Sequence, residues 1–305
     1  MKRILVTGAT GFIGRHALPL LVGRGFDVHA VARAVPPHGV PGVMWRAADL
    51  LGGTDVIRAL IDDVRPTHLL HLAWYAEHGK YWRALENFRW TAASLELALE
   101  FAARGGERLA AAGTCAEYDW SGGVCGESST PLAPSTLYGT CKDALRRMLG
   151  ALAVETKVGF AWGRVFFTFG PDEQPQRLVP SVIRSLLRGD EVRTTHGRQV
   201  RDFLAVEDVA AAFVALLDSN VSGEVNIGSG EPASVRDIVA ALAKMIGGAG
   251  RIAYGAIAAA DESPMVVADV TRLRKEVGWS PRATLDERLA QTIEWWRTHH
   301  EERVS

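Results

Sequence analysis

The sequence predicts an α/β protein with a doubly wound parallel sheet and a smaller C-terminal lobe. Three observations indicate this class. A short apolar run at residues 4–6 is followed at once by a glycine-rich turn. Short apolar runs then alternate with segments of helical periodicity, and beyond about Gly170 this alternation becomes irregular. Because parallel strands are joined by helical crossovers, the alternation is typical of a parallel sheet with helices on both faces.

Each predicted element rests on a local pattern. Short continuous apolar runs, typical of strands buried on both faces, predict strands at residues 4–6, 28–32, 68–72, 108–112 and 158–167. Apolar residues spaced three and four positions apart predict helices at residues 12–22, 54–64, 81–103, 137–154, 234–246 and 285–297. From this order we expect one domain at residues 1–170, to which a segment of roughly 195–225 returns. Residues 171–305 should form mainly the smaller lobe.

Composition excludes several classes of function. The formal net charge is -1, so we expect no general affinity for nucleic acid or for an anionic membrane. The three cysteines, Cys115, Cys125 and Cys141, lack the paired spacing of disulfide frameworks and zinc sites. No apolar stretch approaches the ~20 residues that span a bilayer, and the first apolar run is too short for a signal peptide. We therefore expect a cytoplasmic protein without a nucleic-acid, membrane or metal partner.

A glycine-rich loop follows the first predicted strand and opens the first predicted helix. In such a loop one glycine permits the tight turn, one lets the backbone approach a pyrophosphate, and one lets helix and strand pack closely. The helix N-terminus then offers amide groups and a partial positive charge to the phosphates. The context favours dinucleotide binding over a purely structural turn. The loop residues predicted to contact the cofactor are Gly8, Thr10, Gly11, Phe12, Ile13 and Gly14.

The glycine spacing that follows Thr7 resembles the opening of extended short-chain dehydrogenase/reductases, the NAD-dependent epimerase/dehydratase family that modifies nucleotide sugars. The resemblance extends over nearly the whole chain, from about Lys2 to Trp296. It implies that residues 1–170 form a Rossmann dinucleotide-binding domain and that the C-terminal lobe binds the substrate.

The residue that reads the adenosine ribose is expected at the end of the second strand. An acidic residue there would bind the ribose hydroxyls and favour NAD. This sequence has Arg33 instead, and a guanidinium suits a 2′-phosphate. We therefore predict NADP as the cofactor, with NAD as the alternative. The competing interpretation is that Arg33 is a solvated surface residue.

Two further segments resemble cofactor contacts of the family. Asp49, followed by Leu50, matches an aspartate that contacts the adenine, although a helix cap or a turn would explain it equally well. Leu72 and Ala73 follow the strand that lies beside the cofactor in the family. We predict that these four residues contact the dinucleotide, and that the preceding buried His71 is structural.

Tyr138 and Lys142 are four residues apart in a predicted helix, so both side chains lie on one face. A free phenol has a pKa of ~10, and a nearby ammonium favours its ionised form. Tyr138 could then exchange a proton with a substrate oxygen, while Lys142 also holds the nicotinamide ribose. Any helix can carry this pair by chance. A second segment, from Thr114 to Tyr118, resembles the family's Ser/Thr-x-x-x-Tyr motif, which implies a catalytic triad of Thr114, Tyr138 and Lys142.

Substrate contacts are implied by a later segment, in which Arg201 and Asp202 precede a strand-like run. This segment matches a hallmark of nucleotide-sugar enzymes, in which Arg201 would clamp the diphosphate. A buried ion pair between Arg201 and Asp202 is the alternative. Two aromatic pairs flank the expected cleft, and they either stack on the ligand or pack in the core: Trp74-Tyr75 and Tyr81-Trp82. Of these, we predict Tyr75 as a substrate contact.

Three reactions share this scaffold: 4,6-dehydration, epimerisation and ketone reduction. Dehydratases have an Asp-Glu pair directly after the threonine, but this chain has Cys115 and Ala116 there. Phe167 replaces the asparagine that contacts the ligand in sugar epimerases. With Arg33, these features favour reduction of an NDP-4-keto-6-deoxysugar by NADPH, with Tyr138 as the proton donor. The alternatives are an epimerase with tightly bound NAD, a reductase of a small carbonyl compound, and a non-catalytic, cofactor-sensing protein.

The predicted helices at residues 81–103 and 137–154 resemble those that form a four-helix dimer interface in the family. We therefore expect a homodimer. The small residues of these helices would suit an intramolecular contact equally well.

Overall fold

The computed structural model describes residues 2–259 and 263–299, so residues 260–262 and 300–305 of the predicted lobe lie outside the described residues. Its strands are β1 Arg3–Thr7, β2 Asp27–Ala32, β3 Val43–Ala47, β4 His68–His71, β5 Arg108–Thr114, β6 Val124–Cys125, β7 Gly159–Val165, β8 Phe167–Phe169, β9 Val192–Thr194, β10 Val200–Ala205, β11 Gly223–Ile227, β12 Pro232–Ser234, β13 Ile252–Tyr254 and β14 Met265–Ala268. Its α-helices are α1 Gly14–Gly23, α2 Thr54–Val64, α3 Glu86–Ala103, α4 Leu137–Thr156, α5 Leu178–Arg188, α6 Val206–Asp218, α7 Val235–Ile246, α8 Thr271–Lys275 and α9 Leu285–Thr298.

Seven parallel strands form the main sheet, in the order β11-β7-β5-β4-β1-β2-β3. The order reverses direction at β1, which confirms the doubly wound topology. Both faces of the sheet are buried, because side chains of a strand alternate between its faces. In β1, Ile4 and Val6 contribute to one apolar cluster and Leu5 to another. The first cluster includes residues of α1 and α6, and the second includes residues of α2, α3 and α4.

The C-terminal lobe is built on a second sheet, in the order β12-β10-β14-β6, with β8 beside β10. A third apolar cluster joins this sheet to α5, α7 and α9. After β10 the chain crosses through α6 and returns to the main sheet as β11, which pairs with β7. The domain boundary near residue 170 stays a prediction. Within the described residues, no helix is long and apolar enough to cross a membrane.

Two predicted elements differ in extent from the structure, and strand β3 was absent from the prediction. The helix predicted from residue 81 begins at Glu86, because the Asn87 side chain donates hydrogen bonds to the carbonyls of Tyr81 and Ala84 and holds the preceding residues in turns. The strand predicted at residues 158–167 divides after Val165, where the chain leaves the main sheet for the second one. Strand β3 was not predicted, because its edge position leaves it only partly buried.

Gly14 tests whether the glycine loop has the close packing that its sequence predicts. A Cβ atom on Gly14 would lie 2.1 Å from the Gly8 carbonyl oxygen, a contact that only a backbone shift could relieve. We expect Gly14→Ala to lower the free energy of unfolding by about 2 kcal/mol or more. Gly23→Ala, in the same helix, is the matched control. It meets no atom within 4 Å and should be neutral or stabilising by about 0.5 kcal/mol. Urea unfolding measures both, and equal stabilities would contradict the packing argument.

Candidate active site

The glycine loop lies against the end of β4. Gly8 has a φ of +68°, and a Cβ atom there would lie 2.7 Å from the Ala73 amide nitrogen. The Gly11 amide closes the turn by donating to the Gly8 carbonyl at 2.9 Å. The structure therefore brings the predicted contacts at Leu72 and Ala73 next to the loop and next to the N-terminus of α1. This backbone cradle leaves Gly11 exposed and fits a dinucleotide pyrophosphate.

The other predicted cofactor residues lie at the carboxyl ends of neighbouring elements. Arg33 directly follows β2 and is exposed. Asp49 accepts a hydrogen bond from the Leu51 amide at 3.0 Å and starts a short 3₁₀ turn, within which Leu50 is buried. The structure thus agrees with the interpretation of Asp49 as a turn residue. The cofactor contacts of Arg33, Asp49 and Leu50 stay predictions.

The buried His71 forms an internal bridge. Its two ring nitrogens lie 2.7 Å from the Thr7 hydroxyl and 2.8 Å from the Ser94 hydroxyl. Burial, with a smaller contribution from the nearby Lys142, lowers the pKa of His71 to about 3. The ring is therefore neutral at physiological pH, which agrees with the structural role predicted for it.

Thr114, Tyr138 and Lys142 come together at the carboxyl end of β5. Thr114 is the last residue of this strand, and Tyr138 lies in the first turn of α4, which Thr136 caps by accepting from the Gly139 amide. The Tyr138 side chain forms a hydrogen bond with the Thr114 side chain. The Lys142 ammonium donates to the Ala112 carbonyl at 2.8 Å. The predicted arrangement is present, and its catalytic role stays a prediction.

Water is excluded from Lys142. The residue is 4% exposed, and its nitrogen lies 3.7 Å from the centroid of the Trp74 ring. Burial lowers the pKa of Lys142 to about 7, against the opposing influence of the Glu117 carboxylate. From the sequence alone, Lys142 is expected to carry a fixed positive charge. The structure corrects this expectation, because desolvation disfavours the charged form.

Burial also acts on Tyr138. It raises the pKa of this phenol above its usual value, and the adjacent Tyr81 raises it further, whereas the hydrogen bond from Thr114 opposes the shift. The phenol is therefore protonated at neutral pH. A protonated phenol can donate a proton to an oxygen that gains negative charge.

Glu117 positions Thr114, and the sequence analysis gave it no role. Its carboxylate accepts from the Thr114 amide at 2.9 Å and from the Arg164 guanidinium at 2.7 Å. Glu117 and Arg164 have side chains 0% and 1% exposed. A signal was present in the sequence, because a threonine followed three residues later by a glutamate is the pattern of a capping box. Tyr118 joins this network by donating to the Asn226 side chain at 2.8 Å.

An aromatic wall of Trp74, Tyr81 and Trp82 surrounds the Tyr138 ring, with ring centroids 6.5, 5.0 and 5.8 Å away. The Tyr75 hydroxyl instead donates to Glu77 at 2.7 Å. The predicted substrate contact of Tyr75 stays a prediction.

Arg201 is 3% exposed and donates to the Val200 and Ser263 carbonyls, both at 2.9 Å. Its guanidinium lies 5.3 Å from the Phe167 ring centroid. Asp202 instead accepts from backbone amides of the second lobe, including that of Ser229 at 2.6 Å. The role of Arg201 as a diphosphate clamp stays a prediction.

Known proteins resemble this chain over most of its length. The model of the NAD dependent epimerase/dehydratase family matches residues 4–228. UDP-glucuronic acid decarboxylase 1 of Xenopus tropicalis is 27% identical over 320 residues, covering 100% of this chain and 74% of that protein. The dTDP-6-deoxy-L-talose 4-dehydrogenase (NAD(+)) of Aggregatibacter actinomycetemcomitans is 28% identical over 250 residues, covering 77% of this chain and 87% of that protein. The structure of MoeE5 in complex with UDP-glucose and NAD is similar with a TM-score of 0.85 and 30% identity, covering 98% of this chain and 100% of that chain.

The buried Lys142 should make stability depend on pH. Its pKa is lowered in the folded state, so its burial costs stability below that pKa, and the cost fades as pH rises toward the unfolded value of 10.5. We expect Lys142→Met to be more stabilising, relative to wild type, at about pH 6 than at about pH 9.5, with a difference of about 3 kcal/mol. Urea unfolding at both pH values measures the effect. Lys275→Met, at an exposed position, is the control, and a pH-independent difference for Lys142→Met would contradict the assignment.

Proposed function

The chain belongs to the NAD-dependent epimerase/dehydratase family, and from this premise we propose that it reduces an NDP-4-keto-6-deoxysugar with NADPH. One observation carries the proposal: a phenol that burial keeps protonated, Tyr138, shares a hydrogen bond with Thr114 beside the buried Lys142. Reduction of a ketone needs a proton donor at the oxygen that becomes the hydroxyl. The similarity to a dTDP-6-deoxy-L-talose 4-dehydrogenase supports chemistry at C4 of a deoxysugar.

In the proposed reaction, the residues of the chain would have the following separate roles. The glycine loop and the N-terminus of α1 hold the dinucleotide, which when bound supplies the hydride. Tyr138 donates its proton to the carbonyl oxygen of the sugar, and the Thr114 hydroxyl donates a hydrogen bond to the same oxygen. Lys142 holds the ribose, and its protonated form would place a positive charge next to Tyr138 when that phenol loses its proton. The aromatic wall excludes water from the reacting carbonyl.

The chain lacks the carboxylate acid and base that serve 4,6-dehydration in the family. Cys115 and Ala116 occupy the positions of the carboxylates, and both are buried. Burial raises the pKa of the Cys115 thiol far above neutrality, so the thiol is a poor substitute for a carboxylate. The absence of these carboxylates favours reduction or epimerisation over 4,6-dehydration.

Epimerisation is the second candidate. The similar structure of MoeE5 contains UDP-glucose and NAD, and the same triad would serve a hydride that is removed and returned in one turnover. The exposed Arg33 after β2 and the phenylalanine at position 167 favour a reductase that exchanges NADP. We keep NADP as the proposed cofactor and a nucleotide sugar as the proposed partner.

A homodimer is also proposed. Helices α3 and α4 pack beside each other, and apolar side chains on them remain exposed, including Phe88 at 57% and Val154 at 76%. A second copy of the chain would cover this surface.

The direct test supplies CDP- and dTDP-linked 4-keto-6-deoxyglucose with NADPH and follows the absorbance of the reduced cofactor. We expect stoichiometric oxidation, and we expect Tyr138→Phe to lower kcat by about 100-fold or more while NADPH still binds. Tyr254→Phe, in the two-stranded sheet of the C-terminal lobe, should leave the rate unchanged. Interconversion of sugars without net consumption of NADPH would replace the reductase with an epimerase.

Arg33 should decide the choice of cofactor. If its guanidinium binds the 2′-phosphate, Arg33→Ser removes a charge-assisted hydrogen bond worth about 1.5–3 kcal/mol. We expect kcat/KM for NADPH to fall about 10- to 100-fold while that for NADH changes little. Arg58→Ser, on the exposed surface of α2, is the control. Equal losses with both cofactors would assign Arg33 to the surface instead.

A further inference from the structure

We propose that the Tyr81 hydroxyl is a second donor to the sugar, oriented by Arg177 and Glu173. This inference rests on the proposal that the ligand is a nucleotide sugar. Tyr81 would contact an oxygen next to the reacting carbonyl, whereas Tyr138 and Thr114 address the carbonyl itself.

Tyr81 is fixed against the first turn of α4. Its ring lies edge-on to the Tyr138 ring, with centroids 5.0 Å apart and planes at 84°. The backbone around it is tied down, because the Tyr138 amide donates to the Trp82 carbonyl at 3.1 Å and the Asn87 side chain donates to the Tyr81 carbonyl at 2.7 Å. These contacts keep residues 81–85 out of α3 and turn the Tyr81 side chain toward the triad.

The cation next to the Tyr81 hydroxyl is the guanidinium of Arg177. The Arg177 side chain forms a hydrogen bond with Tyr81, and its Nε atom lies 3.0 Å from Oε1 of Glu173. Glu173 is 3% exposed, and among the described residues its Oε2 atom has no hydrogen-bond partner. An ion pair on the surface would not require a buried glutamate. The burial of Glu173 therefore indicates that it fixes the Arg177 side chain next to Tyr81. The site therefore contains two phenols, Tyr138 and Tyr81, and Arg177 lies next to the second.

The Tyr81 hydroxyl remains protonated at neutral pH. Burial raises the pKa of Tyr81 to about 12, and Arg177 opposes the shift. The Tyr81 ring contacts the ring of Tyr138, a member of the proposed triad, with centroids 5.0 Å apart. The phenol thus lies on the same side of the β5 terminus as the triad, and position 115 has no carboxylate to bind the sugar there. A neutral hydroxyl donor is suited to a sugar oxygen.

The segment that carries Glu173 and Arg177 also contacts the cofactor loop. Asp172 pairs with Arg15 at 2.6 Å, and the His16 ring lies 3.3 Å from the Pro171 carbonyl oxygen. Arg15 in turn donates to the Thr10 carbonyl at 2.7 Å. One short stretch of chain therefore links the glycine loop to Tyr81, so the hydroxyl is held in a fixed place relative to the dinucleotide cradle.

Tyr81→Phe removes only the hydroxyl, because the ring contacts and the carbonyl bond from Asn87 remain. We would measure binding of UDP-glucose and of UDP to the full-length protein by calorimetry, in the presence of NADPH. We expect the variant to bind UDP-glucose about 3- to 10-fold more weakly and UDP as wild type does, since one lost hydrogen bond has this effect. Equal affinity for UDP-glucose, or an equal loss for both ligands, would overturn the proposal.

Arg177→Gln tests the orienting cation, with Arg188→Gln at the opposite end of α5 as the matched control. We expect Arg177→Gln to weaken UDP-glucose binding selectively and Arg188→Gln to change neither affinity. An unaffected Arg177→Gln would overturn the role of the cation.

The reductase proposal is judged separately. Wild type that binds UDP-glucose but reduces no ketosugar would end that proposal and leave the Tyr81 test intact. Wild type that binds neither UDP-glucose nor UDP, and that oxidises no NADPH with the CDP- and dTDP-linked ketosugars, would overturn both.

Discussion

The Glu117–Arg164 ion pair lies at the carboxyl end of the main sheet, where β5 and β7 meet the start of the C-terminal lobe. Both side chains are fully buried, so each charge depends on the other, and removal of one partner from such a pair costs about 3–5 kcal/mol. Glu117 also accepts from the Thr114 amide and from the Trp162 indole. Through Tyr118 the network reaches β11 and the second lobe. The ion pair therefore helps to fix the position of Thr114, together with the pairing of β5 with β7.

Exclusion of water at the same place sets the chemistry of the site. Burial acts on both Lys142 and Tyr138, and it disfavours charge on each of them. The proposed reduction needs a phenol that keeps its proton until negative charge develops on the substrate. A dry site provides this, and it also strengthens the hydrogen bonds that stabilise the developing charge. The Glu117 carboxylate partly compensates Lys142 for the lost hydration.

The walls of the cleft come from segments without regular structure. Residues 81–85 are held by Asn87 and by the start of α4, and the stretch before α5 carries Glu173 and Arg177. Such segments tolerate sequence change while the sheet beneath them stays fixed. In the proposed function, the choice of sugar would therefore depend on these two segments, and the hydride chemistry on the ends of the parallel strands.

The scaffold and the residues of the proposed triad could be predicted from the sequence alone. The glycine spacing, the buried strands and the four-residue spacing of Tyr138 and Lys142 are local patterns, and local periodicity is readable from one chain. Tertiary structure decided the rest. Asn87 moved the start of α3 to Glu86 and placed Tyr81 next to Tyr138, and Glu173 paired with Arg177 in the stretch before α5. Burial, rather than any motif, lowered the pKa of Lys142, because desolvation depends on neighbours that are distant in the chain.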